Sequence, residues 1–400
     1  MSSDLELLIL KPSSKERENI IMTSEERREV RYIRRCEKRR QKKERLSRFD
    51  NFEWVFSYEH LYEAYKKCKR NVRWKASTQS YIDLAPLKVF RTYEKLRKGK
   101  FRSKGFFEFD IIERGKKRHI RSVLIDERVV QRCLCDYCLV PLLSRTFIYD
   151  NGASLKNKGY HFARKRVVRF LQRFVSKNGT NGYVLLFDFS QFFDNISHSL
   201  CKRILRENVT DKRIIKLVDH FIDMFGDIGL GLGSQISQIF ALASANRLDH
   251  YIKEVLRIKN YERYMDDGCL IHESKTYLQK CVLELSKLCR KYGIILNKKK
   301  TKIVKLSHGF TWLKTKFNIS PSNRIFKRLV RKSTRIMRRK LKSFSNFVDN
   351  GRMSLFDVYT SYQSWRSYAR KFDSNRTIQN MEHLFLNLYG CTSKMASQTY

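Results

Sequence analysis

The run Tyr261-Glu262-Arg263-Tyr264-Met265-Asp266-Asp267-Gly268-Cys269-Leu270-Ile271 constrains this chain more than any other stretch. Two β-forming segments flank a tight acidic turn, which predicts a hairpin with paired carboxylates at its tip. Neighbouring aspartates repel, so the pair is costly unless something neutralises it. A hard divalent cation does so, because Mg²⁺ takes carboxylate oxygens together with substrate phosphates. Asp-Asp-Gly is also ordinary turn chemistry. The hairpin alone is therefore ambiguous, and an acid elsewhere has to decide.

That acid is Asp188. Tyr183-Val184-Leu185-Leu186-Phe187 is a continuous apolar run, hence a buried strand, and it ends on Asp188. Alone, Asp188 reads as a strand-end turn or cap residue. A strand ending in an acid, then helices, then a hairpin with two acids is the layout of a two-metal nucleotidyl-transfer palm. One metal activates a 3′-hydroxyl and the other steadies the triphosphate leaving group. Two metals about 3.5–4 Å apart share oxygen ligands, which calls for acids on adjacent strands.

Charge points the same way. The chain has 84 Lys and Arg against 40 Asp and Glu, a net charge of +44 and a pI near 10.1. Self-repulsion on that scale calls for a polyanionic partner, nucleic acid first and an anionic membrane surface second. A hydrophobic content of 42% argues for a folded chain, and 400 residues suffice for two or three subdomains. Aromatic residues offer stacking surfaces for bases, although most must be core. No run of about 18 apolar residues occurs, so no transmembrane helix is expected. Asp4 and Glu6 stand where a signal peptide carries basic residues, so a cytoplasmic location is expected. Cys133, Cys135 and Cys138 lie in an apolar helical run with no second Cys/His pair near them, which favours buried thiols over zinc.

Residues 12–50 form a charged leader in which Thr23 and Glu26 make a capping box for a basic helix. That helix reads equally as a solvated face or as an arm against RNA or a partner. Helical spacing follows around Leu61–Cys68 and Leu84–Leu96. Phe106–Ile111 alternates like a strand and leads into a basic hairpin, Arg114–Arg121. Ile125–Leu143 reads as a long helix interrupted near Pro141, and Phe162–Val175 as another. Ser197 caps a helix to about Arg206, and another runs near Ile214–Phe225. Ser237–Leu256 looks helical, and an amphipathic helix after the hairpin stops at Gly293. Gly293–Asn297 is expected to start a strand, Lys298–Lys302 to be a basic turn and Gly309–Leu313 a further hairpin. From Asn323 onward helices are expected, with Arg324, Arg328, Arg331, Arg335 and Arg339 on one stripe. Gly229-x-Gly231-x-Gly233 lacks the third glycine of a dinucleotide fingerprint at the required spacing, with Ser234 in its place, and lacks the lysine of a P-loop, so neither is read there. There is no internal repeat.

Several motifs carry a family resemblance. Phe187-Asp188-Phe189-Ser190-Gln191-Phe192-Phe193-Asp194-Asn195-Ile196 resembles the first palm motif of reverse transcriptases, and Tyr264-Met265-Asp266-Asp267 resembles their Tyr-x-Asp-Asp box. Leu232-Gly233-Ser234-Gln235-Ile236-Ser237-Gln238 is similar to the second palm motif of the diversity-generating retroelement branch, which ends in Ser-Gln rather than Ser-Pro and has an aliphatic residue where most families have Gln. Arg118–Gln131 looks like the fingers of bacterial members, and Asn297–Lys302 and Gly309–Leu313 like later palm motifs. The resemblance spans about residues 52–390. One departure is Lys314, where Gly is common after Trp312-Leu313.

The resemblance implies an α+β right-hand polymerase: a basic extension at 1–50, fingers at 51–180, an antiparallel-sheet palm at 181–313 and a helical thumb at 314–400. It implies RNA-templated DNA synthesis from dNTPs with Mg²⁺, or Mn²⁺ as the alternative. Catalysis falls to Asp188, Asp266 and Asp267, with Phe189 joining them at the metal. The nucleotide set is Lys116, Arg118, Phe193, Leu232, Gly233, Gln238 and Lys300. Phe193 would exclude a 2′-hydroxyl, and Arg118 with Lys116 would grip the triphosphate, since a guanidinium binds phosphate bidentately. Lys300 would lie near the leaving pyrophosphate as a proton donor, although three consecutive lysines leave that assignment open. Tyr264, Met265, Trp312, Arg324, Arg328, Arg331 and Arg335 would meet the RNA template and RNA/cDNA duplex. Acids are sparse after residue 313, and no RNase H carboxylate set is visible. The implied setting is a diversity-generating retroelement, whose partners include a non-coding RNA and a small basic accessory protein. The rivals are an antiphage-defence reverse transcriptase and a non-catalytic RNA-binding scaffold of the same fold, against which the intact acids argue.

Overall fold

The computed structural model describes residues 23–113 and 115–390. The chain divides into two compact units interleaved in sequence, one of residues 1–146 and 197–243, the other of residues 147–196 and 244–400.

In the first unit, the basic helix Ser24–Ser47 begins at the expected capping box: Thr23 accepts from the Glu26 N–H, and Glu26 accepts from the Thr23 N–H at 2.7 Å. The helices Tyr58–Cys68, Ala85–Arg97 and Ile125–Leu134 bury Leu61, Tyr65, Val89, Val129 and Val130. The cysteine cluster belongs to this core, and Cys133 donates to the Val55 carbonyl. Interruption of the long helix comes earlier than Pro141 suggests, as a π turn at Cys135–Leu139. Strands β1 (Phe107–Glu113) and β2 (Lys116–Ser122) form the basic hairpin. Helices His198–Asn208, capped by Ser197, and Lys212–Asp223 complete the unit.

The second unit is built on a four-stranded antiparallel sheet. Its strands are β3 (Tyr183–Phe187), β4 (Tyr261–Tyr264), β5 (Asp267–His272) and β6 (Lys302–Lys305), in the order β4-β5-β3-β6. β3 is central and apolar throughout because both its faces are covered. Val184 and Leu186 pack on the helix Tyr160–Asn178 through Val167, Phe170 and Phe174. Leu185, on the other face, lines a pocket together with Val282 and Leu283 of the helix Lys275–Lys291. Each such fully buried side chain contributes roughly 1.5–3 kcal/mol of transfer free energy. The free edge of β4 is covered by the segment 150–152, where Arg263 N–H donates to Asp150 and Gly152 N–H to Arg263, so no open strand edge is left there.

Two expectations are corrected. Gly293–Asn297 is no strand; it makes only a single bridge, Phe189 with Leu296, and the strand lies at Lys302–Lys305, where Ile303 and Val304 pair with β3. The apolar run Ile294-Ile295-Leu296 gains its burial at Ile294 alone, as a loop beneath the site. Secondly, helices do not follow directly on Asn323. Strands β7 (Phe310–Trp312), β8 (Thr315–Ile319) and β9 (Ile325–Leu329) form a second sheet. Arg328 is therefore on a strand and Arg324 just before it, while Arg331 and Arg335 are on the helix Arg331–Asp349. That helix packs with Leu355–Ala369 and Asn375–Tyr389 around Met337, Leu341, Val358, Tyr362, Met381 and Phe385. Among the described residues, no helix is long and apolar enough to cross a membrane.

Candidate active site

Asp188 follows β3 directly and is buried. Its carboxylate accepts the Lys300 ammonium at 2.8 Å on Oδ1 and 2.7 Å on Oδ2, and Asn297 Nδ2 donates to Oδ1 at 3.2 Å. The Asn297 backbone N–H also donates to the Asp188 carbonyl, at 2.8 Å. Of the three consecutive lysines, Lys300 is the one turned onto the acid, because the turn is closed by its own N–H on Asn297 Oδ1. Asn297, a cap for this turn and a donor to Asp188, was not singled out in the sequence. Its signals in the sequence are a side-chain amide just before a lysine run and its place at the start of Asn297–Lys302, the stretch that resembles a later palm motif.

Strands β4 and β5 form the hairpin, with Tyr264 opposite Asp267, so Met265 and Asp266 are the turn. Met265 takes a left-handed φ of +54°. Phe189 N–H donates to the Asp266 carbonyl at 3.2 Å, and this bond ties the end of β3 to the hairpin tip. Gly268 lies opposite Phe187, and a Cβ there would come within 2.2 Å of the Phe187 ring. Glycine at this point lets the two acidic ends approach.

The electrostatics are those of a site short of positive charge. Burial, then the charges of Asp266 and Asp188, push the Asp267 carboxyl up to about 7. Burial opposes the charge on Lys300, but the hydrogen bond and charge of Asp188, with Asp266 and Asp267, hold its pKa above the usual lysine value. Among the described residues, no three His, Cys, Asp or Glu side chains close on a common point. The acids nonetheless fit a cation, because the Lys300 ammonium occupies that role against both Asp188 oxygens.

Beneath the hairpin lies a charged cluster whose members read in the sequence only as parts of a β-forming segment, Tyr261–Tyr264, and of a helix, Ser237–Leu256. Arg263 and Asp249 are fully buried and joined by a two-armed pair, Nε to Oδ1 and Nη2 to Oδ2, both at 2.7 Å. Tyr261 donates its hydroxyl to the same Asp249 Oδ1 at 2.7 Å, and Arg263 Nη1 donates to the Met265 carbonyl at 2.8 Å. On the alternate face Glu262 is buried with neither oxygen bonded. Its nearest cations are committed elsewhere: Arg166 and Lys253 to Asp150, Lys158 to the Tyr149 and Asn151 carbonyls. Burial, together with Asp150, pushes the Glu262 carboxyl up to about 10.

Phe193 is half-buried in the same unit as Asp188, against Phe192. In the other unit, Arg118 is on β2, and the Leu232-Gly233 loop lies against that strand: Arg121 N–H donates to the Leu232 carbonyl at 3.0 Å, and Gly233, at φ +113°, leaves 3.0 Å between a would-be Cβ and the Arg121 carbonyl. Gln238 is exposed on the helix Gln235–Ser244. Lys116 opens β2, and its side chain lies outside the described residues. Tyr264 stacks on Tyr160 with ring centres 4.4 Å apart. Trp312 departs from the expectation of a nucleic-acid contact, since its side chain is buried in the core with Phe310, Phe317 and Phe174. Next to it, Leu313 and Lys314 take φ of +44° and +57° and make the β7–β8 turn, so lysine adopts the left-handed form where glycine is common. Arg324, Arg328, Arg331 and Arg335 are exposed, and the first two sit over the Phe326 ring.

A family profile described as reverse transcriptase (RNA-dependent DNA polymerase) matches residues 109–317, just over half of the chain. Among curated proteins none matches. Similar solved structures include apo telomerase from Candida tropicalis truncated from its C-terminal domain, at 18% identity over 56% of this chain and 55% of that one, TM-score 0.42. Another is telomerase from Candida albicans in complex with a TWJ fragment of telomeric RNA, at 12% identity over 73% of this chain and 61% of that one, TM-score 0.47. The chain thus spans little more than half the length of either telomerase.

Proposed function

The chain belongs to the reverse transcriptase family, and on that premise we propose how its own residues carry out RNA-templated DNA synthesis. As an RNA-directed DNA polymerase it is a nucleotidyltransferase, and its family generally uses divalent metal ions. Asp188, Asp266 and Asp267, with the Phe189 backbone, would hold the cation, Mg²⁺ by preference and Mn²⁺ as the alternative. Held there, a divalent cation would supply activation of the primer 3′-hydroxyl and neutralisation of charge on the triphosphate. Lys300 keeps a proton at Nζ beside Asp188 and can give it to the leaving pyrophosphate. Phe193, held by Phe192, sits under the sugar and excludes a 2′-hydroxyl. The family resemblance assigns the triphosphate to Arg118 and Lys116 and the nucleotide to Leu232, Gly233 and Gln238. Tyr264 and Met265 meet the duplex, and Arg324, Arg328, Arg331 and Arg335 take its phosphates, which sets register without reading sequence. The family's fingers, palm and thumb correspond to 51–180, 181–313 and 314–400. The observation that supports this reading best is the Phe189–Asp266 bond, which joins the acid-bearing end of β3 to the acidic hairpin tip.

Within the family, Leu232 and the Ser237-Gln238 ending favour a diversity-generating retroelement, working with a non-coding RNA and a small basic accessory protein. An aliphatic residue at 232 gives the incoming nucleotide no hydrogen bond, so a mispair forfeits fewer protein contacts and discrimination narrows. One hydrogen bond, about 1 kcal/mol, changes a selection ratio roughly fivefold. The test is cDNA synthesis on a defined primed RNA, with the products sequenced. Asp266→Asn is expected to lose incorporation about a thousandfold, the several kcal/mol of a metal-stabilised transition state, while RNA binding survives. Wild type is expected to misincorporate, chiefly at template adenines, and Leu232→Gln to lower the error rate. Full activity of Asp266→Asn sinks the catalytic assignment. Wild-type copying as accurate as a retroviral enzyme sinks the retroelement setting and favours antiphage defence.

A further inference from the structure

We propose that the buried Arg263–Asp249 pair is a positioning device that fixes the peptide planes of the catalytic hairpin before any ligand binds. The inference rests on the polymerase reading above and concerns residues that reading leaves without a role.

A two-residue hairpin turn needs positive φ at its first position, which is why glycine, asparagine and aspartate are usual there. Here a methionine takes that position, at φ +54°, a conformation that a Cβ resists. Something has to hold it. Arg263 Nη1 donates to the Met265 carbonyl at 2.8 Å, and that carbonyl belongs to the peptide leading into Asp266. On the far side of Asp266, its own carbonyl is held by Phe189 N–H at 3.2 Å. Both peptide planes flanking Asp266 are thus pinned, one by β3 and one by Arg263.

Arg263 can serve as an anchor because it cannot move. Its guanidinium is planar, and the two remaining arms are fixed on Asp249 at 2.7 Å each. Asp249 is held in turn by Tyr261 and sits on the short helix Asn246–His250. A planar fork fixes direction as well as distance, so the carbonyl of Met265 is located relative to a helix and not to solvent. A buried ion pair is a poor way to gain stability, since well-packed apolar residues often serve as well. Its place two residues from a strained turn suits the control of geometry, and displacements of about 1 Å at a catalytic group can cost on the order of a hundredfold in rate.

Three chains separate positioning from mere stability: wild type, Arg263→Lys and Tyr261→Phe. Lysine keeps the charge opposite Asp249 but cannot hold the carboxylate with two arms and still reach the Met265 carbonyl. Phenylalanine removes one hydrogen bond from the same cluster and leaves the Arg263–Met265 link intact. Measurements are kcat and KM for dNTP on a primed RNA, primer–template affinity, Mn²⁺ binding followed by EPR, and Tm. Arg263→Lys is expected to lower kcat at least about tenfold and to weaken Mn²⁺ binding, with KM for dNTP and RNA affinity within about twofold. Tyr261→Phe is expected to lower Tm while kcat and Mn²⁺ binding stay near wild type. In a Met265→Gly background the kcat penalty of Arg263→Lys should shrink, because glycine accepts the left-handed form unaided. Equal kcat loss in the Lys and Phe variants at equal Tm loss overturns the inference, as does a penalty that stays undiminished in the Met265→Gly background. If Arg263→Lys and Tyr261→Phe both fail to fold, the cluster is structural and the inference is overturned as well. Absence of incorporation by the wild type would instead sink the polymerase reading.

Discussion

Strand β4 is electrically complete at its buried end and incomplete at its tip. Arg263 has every arm on a partner, and its counter-ion Asp249 shares three hydrogen bonds with Arg263 and Tyr261. A few residues on, Asp267 is pushed up to about 7 by burial and by Asp266 and Asp188, with one partly exposed lysine to offset three acids. The contrast separates two uses of charge. Where geometry must be fixed, the protein supplies both signs itself. At the tip, where the proposed reading brings cation and phosphate from outside, it leaves a deficit that they would fill. Glu262 fits neither pattern, being buried, unbonded and beyond reach of solvent, so it is the place where the contrast can be tested hardest.

The largest effect is expected at the junction of the two regions. Gly268→Ala places a Cβ against the Phe187 ring, with three ring atoms at 2.2, 2.3 and 2.7 Å. Phe187 is itself buried and in contact with Phe189 and Tyr261, so it has little room to yield. Overpacking of this kind costs about 1–3 kcal/mol, and relieving it by moving β5 off β3 separates Asp188 from Asp267. A lower Tm together with loss of dNTP incorporation is the expected result. Loss of Tm with full incorporation would show that the acids do not depend on this close strand contact.

Much of this was legible in the sequence, for physical reasons that differ by region. β3 was readable because both of its faces are covered, which forces an unbroken apolar run ending on Asp188. The hairpin was readable because paired acids in a turn are costly and therefore informative. The basic helix announced itself through the Thr23–Glu26 capping box. Gly293–Asn297 misled because an apolar run can line a buried loop as well as a strand, and Lys302–Lys305 was hidden because an edge strand keeps charged ends in water. Arg324 and Arg328 suited a helical stripe because a basic residue every four positions also fits a strand beside a helix. The Arg263–Asp249 pair could not be read at all, since nothing in the spacing says that charges on a strand and on a preceding helix face each other in the core.

Glu262 supplies the next test. In the unfolded chain its carboxyl titrates near the ordinary 4.5, whereas in the fold it is held near 10. Between those values the native state keeps a proton that the unfolded state has lost. This contribution is therefore fully present below pH 4.5 and is lost progressively as pH rises towards 10. The slope can approach about 1.4 kcal/mol per pH unit for a single group. Glu262→Gln carries no such proton, so it should be more stable than wild type at pH 8 to 9 and should lose less Tm between pH 6 and pH 9. Denaturant melts at several pH values check this. Parallel pH profiles for the two chains would mean that Arg166, Lys158 and Lys253 do reach Glu262, and that the buried region is compensated throughout.

The smallest effect on stability is expected at the most conspicuous ion pair. Lys300 lies on both oxygens of Asp188, yet its side chain is 53% exposed. Although Asp188 is buried, the Lys300 end of the pair is open to solvent, which screens it; pairs screened in this way contribute about 1 kcal/mol or less. Asp188 also keeps Asn297, which donates from both its side chain and its backbone. Lys300→Ala should therefore leave Tm almost unchanged, in contrast to Gly268→Ala, which adds a single carbon. Its cost should fall on turnover, because the tip then carries three acids with no resident cation beside them and, on the proposed reading, the leaving pyrophosphate loses a proton donor. The measurement is Tm alongside single-turnover incorporation, where proton donation typically contributes a factor of about 10²–10⁴. A Tm loss as large as that of Gly268→Ala would make Lys300 a structural counter-ion and erase the contrast between the two ends of β4. An unchanged Tm with slowed chemistry would sharpen it, because the tip would then be a place where charge is held for the reaction and contributes almost nothing to the fold.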